Sequence, residues 1–292
     1  MFYKQYPFHF FVFRLMSYLT VSYSLLSVSL SFALDSLQEK TLGIYQQQIQ
    51  DSASTSTCSK YSWKNRGRAP SGYIQGLALS FARSYCRLRS SGNILSPAVA
   101  MSRANTHDAN KDALEWYNSV YSSLKIETDT DGPEALRAIY TLGTGLGMRE
   151  SSGTYCEGWD TSAGSDRPSS AAEAGLFQTS YDSIGASSEL KKLYDEYQAH
   201  PERCYLNVFK QGVSCKTRSI LGTGAGAAYQ EFTKSCPAFA SEYAMVLLRV
   251  LRKHFGPIIR REAEIISSCN QLYVDVQRYI EQDPKNACKD LL

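Results

Sequence analysis

From Gly72 onward, apolar positions recur at helical spacing. Tyr73, Ile74, Leu77, Ala78, Phe81, Ala82 and Tyr85 fall on one stripe of period 3.6 and predict a core helix. A second pattern runs from Lys111 to Leu124 through Leu114, Trp116, Tyr117, Val120 and Tyr121. A third opens at Asp131-Gly-Pro133, with proline in the first turn, and carries Leu136, Ile139, Tyr140, Leu142 and Leu146 toward Glu150. Residues 151–174 lose all helical period, being rich in Ser, Thr, Gly and Asp, and predict a loop or small hairpin lobe. Further helices are expected at about 187–200, 225–234, 238–255 and 259–282. In the segment 238–255, Phe239, Tyr243, Val246, Leu247, Val250 and Leu251 face inward against Arg249, Arg252 and Lys253. Helices dominate and any sheet is small, so the expected class is α+β, predominantly α-helical.

Upstream, the pattern differs. Lys4 and Arg14 precede an apolar stretch through Leu15, Leu19, Val21, Leu25, Leu26, Val28, Leu30 and Phe32, with no acidic residue before Asp35. That is the layout of a secretory signal, and Ser31-Phe32-Ala33 places a cleavage site before Leu34, although Met16 offers a second start. An uncleaved membrane anchor is the alternative reading; the many Ser and Tyr residues in the run weigh against it. Residues 34–70 are polar, with Asp51-Ser-Ala-Ser-Thr-Ser-Thr57 and the basic Lys64-Asn-Arg-Gly-Arg68, and read as a loose arm, or a short helix and a linker. The expected organisation is therefore signal peptide 1–33, arm 34–70 and one domain over 71–292.

Charge adds little. The chain has 31 basic and 28 acidic residues; without Lys4 and Arg14 the excess falls to about +1, which gives no sign of a nucleic-acid partner. The eight cysteines say more: Cys58, Cys86, Cys156, Cys204, Cys215, Cys236, Cys269 and Cys288 all follow the signal. An even number in an exported chain predicts up to four disulfides, with about 105 possible connectivities. Zinc is the competing explanation, but no CxxC pair occurs and His107, His200 and His254 lie far apart, so neither metal nor cofactor is expected.

The chemistry concentrates in Gly147-Met-Arg-Glu-Ser-Ser-Gly153 and Ala172-Glu-Ala-Gly-Leu-Phe-Gln178. A carboxyl ending an apolar helix has an apolar wall behind it and an open cleft ahead. Burial disfavours its charged form and raises its pKa, as a general acid near neutral pH requires. Glu150 fits that role. Glu150-Ser-Ser-Gly153 followed by Ala174-Gly-Leu-Phe-Gln178 resembles the signature of soluble lytic transglycosylases and goose-type lysozymes. There a Glu-Ser pair ends the central helix and a Gly-Leu-Met-Gln element follows a short β lobe. Phe177 stands where Met is usual, and 25 positions separate Glu150 from Gly175. The likeness covers roughly residues 132–182.

The resemblance implies a lysozyme-like fold and an exported bacterial enzyme, periplasmic or secreted and monomeric. Its substrate would be the β-1,4 bond between N-acetylmuramic acid and N-acetylglucosamine in peptidoglycan strands. It implies that Glu150 is the acid, that Ser151 positions the sugar or the acid, and that Gln178 with the Gly175 backbone lines the cleft. Glycoside hydrolysis usually needs a second carboxylate. Glu157, Asp160, Asp166 and Glu173 are candidates, and Asp160 leads because Trp159 beside it offers a face for a sugar. Glu173 has another reading, as a group that holds the lobe in place. Without a second carboxylate, the resemblance implies transglycosylation, in which the substrate's own N-acetyl or 6-hydroxyl group completes the reaction.

Tyr181 is a further candidate sugar contact, with core packing the plainer alternative. Gly222-Thr-Gly-Ala-Gly226-Ala-Ala-Tyr229 lacks the spacing of a dinucleotide loop; Gly226 and Tyr229 resemble the Gly-x-x-Tyr of the later transglycosylase cleft wall, or else mark a helix start. His254, before Gly256-Pro257, reads as a helix-terminal cation or a core-edge residue. Cys156 reads as a staple of the lobe. A non-catalytic glycan-binding protein with the same cleft, or a hydrolase of chitin or chitosan, are the alternative functions.

Overall fold

The computed structural model describes residues 43–90, 96–215 and 219–292. The expected signal segment and cleavage site, and the first part of the expected arm, lie outside the described residues. Residues Tyr45–Leu292 form one compact unit. Its principal helices are α1 (Ile44–Thr55), α2 (Ser71–Ser90), α3 (Pro133–Ser151), α4 (Ser188–Ala199), α5 (Gly224–Ser235), α6 (Pro237–Val250), α7 (Ser267–Gln282) and α8 (Pro284–Leu291). A two-stranded antiparallel ribbon, β1 (Ser62–Trp63) and β2 (Gly67–Arg68), is the sheet found among the described residues. No described helix is long and apolar enough to cross a membrane.

Helices α2 and α3 pack against each other and each against α6 and α7, around one core. Phe81 of α2, Tyr140 of α3 and Tyr273 of α7 meet as an aromatic triad with ring centres 4.9–5.7 Å apart. Their hydroxyls are satisfied inside it: Tyr140 bonds Ser84 Oγ at 2.8 Å and Tyr273 bonds Thr144 Oγ1 at 2.7 Å. Such pairing is required where a polar group leaves water. Close approach explains the glycines of α3: a Cβ at Gly145 would fall 2.1 Å from the Glu264 carbonyl oxygen, so no larger residue fits without moving that backbone.

Two expected helices are interrupted. The pattern over 111–124 forms two short helices, Ala113–Trp116 and Asn118–Ser123, led by the buried cap Asp112. Arg249 grips that carboxylate through two bonds of 2.9 Å, so the segment's course is set by a partner on α6. The pattern over 259–282 begins instead as Gly256–Ile259, and the continuous helix starts only at Ser267. Between them, Glu262 and Glu264 are engaged by other elements. Similarly, α6 ends at Val250, and residues 252–254 form a 3₁₀ turn whose Arg252 N–H donates to the Lys111 carbonyl at 2.9 Å.

From Tyr45 the arm is helix and ribbon folded onto the core. The Asp290 carboxylate accepts the Tyr45 and Gln46 N–H groups, Tyr45 Oη donates to Asp283 at 2.8 Å, and Cys58 is bonded to Cys269 of α7. Few apolar residues in α1 are buried, chiefly Ile49 and Ala53, which is why hydrophobic periodicity alone missed its attachment. Three more disulfides, Cys86–Cys288, Cys156–Cys215 and Cys204–Cys236, complete a set that suits an oxidising compartment.

Candidate active site

Helix α3 ends abruptly because Ser152 and Gly153 take left-handed backbone, at φ 56° and 76°. Their N–H groups close the helix onto the Met148 and Gly147 carbonyls. Glu150 is thereby held in the last turn. Beside it, Ser151 is buried, and its hydroxyl is placed 3.1 Å from the Gly147 carbonyl and 2.8 Å from that of Leu176. Ser151 therefore joins the acid's helix to the turn behind the cleft and is itself kept away from the cleft lining.

That turn is a tight reversal in which Ala174 and Thr179 exchange both backbone hydrogen bonds. Gly175 sits at φ 78°, donates its N–H to the Glu157 carbonyl at 3.0 Å, and has Thr233 Oγ1 only 2.8 Å from where a Cβ would project. Gln178, at φ 47°, donates its side-chain amide to the Gly158 and Gly175 carbonyls. Phe177 is fully buried in the core, as an apolar residue at this place should be. The lobe over 154–173 is closed on itself by the Asp160 N–H, which bonds the Glu173 carbonyl, stitched to the turn by the Gly175 N–H on Glu157, and joined to the chain beyond by Cys156–Cys215.

Between these elements lies a cleft of about 550 Å³. Glu150, Glu173, Gln178, Trp159, Asp160 and His254 are among the groups lining it. Arg66 reaches it from the ribbon, where its guanidinium bonds the Arg149 carbonyl. The ribbon is fixed by Glu264, which accepts from Tyr61 Oη at 2.9 Å and from the Lys64 N–H at 2.8 Å.

Electrostatics separates these groups. Burial, and then the neighbouring charge of Glu173, push Glu150 up to about 8, against opposing pulls from Arg260 and Arg66. Burial raises Glu173 to about 7, Arg167 pulling down and Asp160 pushing up. Glu157 is also raised by burial. In contrast, Glu262 is held at about 2, first by its hydrogen bond to Arg260, with Arg149 adding a second bond at 3.0 Å. His254 is pushed down to about 4 by burial. Arg260 and Arg149 are thus engaged with Glu262, and of the two raised carboxyls Glu150 holds its proton to higher pH than Glu173.

The structure brings Glu150, Asp160, Trp159 and Gln178 to one cleft and places Ser151 and Gly175 directly behind it. Asp160 Oδ1 accepts from the Ser162 N–H and hydroxyl at 2.9 and 2.6 Å, capping a short turn. Tyr181 and Tyr229 are placed elsewhere: they pack against each other with rings 6.0 Å apart, beside Tyr194. Tyr229 is fully buried, its hydroxyl on Thr179 Oγ1 at 3.0 Å. Both support the cleft's back wall as core aromatics. Sequence reasoning missed Arg66 and Arg260 altogether and gave His254 no role in the cleft. The Asn-Arg-Gly triplet inside Lys64–Arg68 carried the one available signal, since Asn65 and Gly67 have positive φ, as a tight ribbon turn demands. Among the described residues no group of three His, Cys, Asp or Glu side chains is arranged to hold a metal ion. Comparison of the chain with protein-family models, characterised proteins and solved structures finds no match.

Proposed function

We propose that the protein is an exported glycosidase that cleaves the β-1,4 bonds of peptidoglycan, with Glu150 protonating the glycosidic oxygen. The observation that carries this reading is the position of Glu150. It ends a buried helix, its carboxyl faces an open polar cleft, and the burial that holds its proton also leaves it next to substrate-sized space. General acid catalysis needs that combination of a retained proton and access to the leaving group. Two further features support the reading. The Ser151–Leu176 bond locks the acid's helix to the Gly175–Gln178 turn, so the two elements of the motif are one device. Trp159 lies on the same cleft, where a ring face can stack on a sugar.

The test is a digest of purified peptidoglycan by the oxidised protein and by Glu150→Gln, with muropeptides read by mass spectrometry. The wild type is expected to release fragments, and the variant to lose at least about 100-fold in rate, the usual contribution of a positioned acid. Equal release by both would remove Glu150 from the acid role; binding of sacculi without release would favour a glycan-binding protein, and cleavage of chitin alone a different substrate.

A further inference from the structure

The sequence assigned His254 to a helix end or core edge; the structure puts it in the cleft wall. Its side chain is 9% exposed, yet no hydrogen bond satisfies Nε2, which lies 3.8 Å from Glu173 Oε1. A buried polar atom without a partner is costly and needs a reason. The Gln178 backbone beside the ring favours its protonated form, the sign of a carbonyl rather than an N–H. A proton on Nδ1 suits that carbonyl, and Nε2, which has no partner, is then the acceptor of the neutral ring. Two acceptors, Nε2 and an ionised Glu173, therefore face each other at a separation too long for a direct bond. One water oxygen placed ~2.8 Å from each closes the gap, donating one hydrogen to either side.

We propose that His254 is a positioning residue that, together with Glu173, holds the attacking water, so that the cleft hydrolyses its glycan and leaves reducing ends. This rests on the reading of Glu150 as the acid. With both hydrogens of the water committed, its lone pair is free to attack the anomeric carbon. The bond from that carbon to the water oxygen forms as the glycosidic C–O bond breaks. Glu150 gives its proton to the leaving oxygen and Glu173 takes one from the water; Glu173 then releases that proton to solvent and Glu150 regains one from it. The other charged groups facing Glu173 are Glu150, Asp160 and Arg167, so the pair is not isolated, but Nε2 is the ring acceptor aimed at it.

The experiment compares wild type, His254→Leu, His254→Gln and Glu173→Gln on soluble peptidoglycan fragments, measuring kcat and KM separately and weighing the new ends by mass spectrometry. Reducing ends are expected from the wild type. His254→Leu is expected to lose about 10- to 100-fold in kcat, the scale of lost supporting contacts, with KM held within about twofold. His254→Gln keeps an acceptor oxygen near the place of Nε2 and should recover most of that loss, whereas Glu173→Gln should lose at least about 100-fold. Anhydro-ended products from the wild type, an unchanged kcat in His254→Leu, or equal loss in Leu and Gln overturns the inference and leaves the glycosidase reading standing. No product from the wild type overturns both. Nitrogen NMR of ¹⁵N-histidine-labelled wild type supplies a check free of variants: a neutral ring protonated on Nδ1 is expected at pH 7, and a proton on Nε2 refutes the proposal.

Discussion

At the scale of single residues, the cleft separates two carboxyls by environment. As the proposed acid, Glu150 needs its proton on, and burial pushes its pKa up to about 8. Glu173 works as the proposed base with its proton off, which burial delays until about 7. Activity should therefore rise through an acid limb near 7, fall through a basic limb near 8, and peak between, the two limbs belonging to the coupled pair. Arg260 gives the sign test. Its positive charge favours ionised Glu150, and its bonds neutralise Glu262 at the same rim. Arg260→Ala removes a cation and exposes an anion, and both changes raise the Glu150 pKa. The basic limb of kcat/KM should move to higher pH by up to about one unit; a shift downward would show that Arg260 does not act on Glu150. The place of Glu150 at an abrupt helix end beside a cleft was legible, because the apolar stripe and the Ser-Ser-Gly break that follows it are both local in sequence. Arg66, His254 and Arg260 were not, since each reaches the cleft from a segment far from Glu150 in sequence.

At the scale of elements, the two halves of the motif are physically joined. Ser151 spends its hydroxyl on the Leu176 carbonyl, and Gly175 tucks under Thr233 in a conformation costly to other residues. Gly175→Ala would add a Cβ 2.8 Å from Thr233 Oγ1 at positive φ, for a loss of about 1–3 kcal/mol. The turn must then shift, carrying Gln178 and the lobe with it. A fall in denaturation midpoint accompanied by a lower cleavage rate is the expected result; full rate at reduced stability would mean that the turn only braces the core. Ser151→Ala should be milder, about 1 kcal/mol, because one hydrogen bond is lost without a clash. The same logic explains which elements the sequence revealed. Helices α2 and α3 carry their own apolar stripes, so their period is visible. The breaks at Tyr117 and over 260–266 are imposed by Arg249, Tyr61 and Lys64 acting across the fold, and α1 is held by hydrogen bonds and a disulfide that leave no periodic mark.

At the scale of the whole molecule, the disulfides divide the work of stability and of shape. Cys58–Cys269 and Cys86–Cys288 join positions 211 and 202 residues apart, tying the early chain to its last helices. Cys156–Cys215 spans only 59 and sits beside the lobe that carries Glu157, Trp159 and Asp160. Chain entropy makes the short closure about 1 kcal/mol less stabilising than the long ones. Its removal should matter more to the site than to the fold. The paired Ser replacements at Cys156 and Cys215 are expected to unfold at slightly lower denaturant yet lose most of the cleavage rate under conditions where the protein stays folded. Replacing Cys58 and Cys269 should lower stability by about 2–4 kcal/mol. It should also weaken the placement of Arg66, because the ribbon follows directly from Cys58. If the Cys156–Cys215 variant kept the full wild-type rate, the lobe's position would depend on its bonds to the Gly175 turn alone. The proposed acid would then be supported by α3 alone, and the proposed base by the Gly175 turn that follows it.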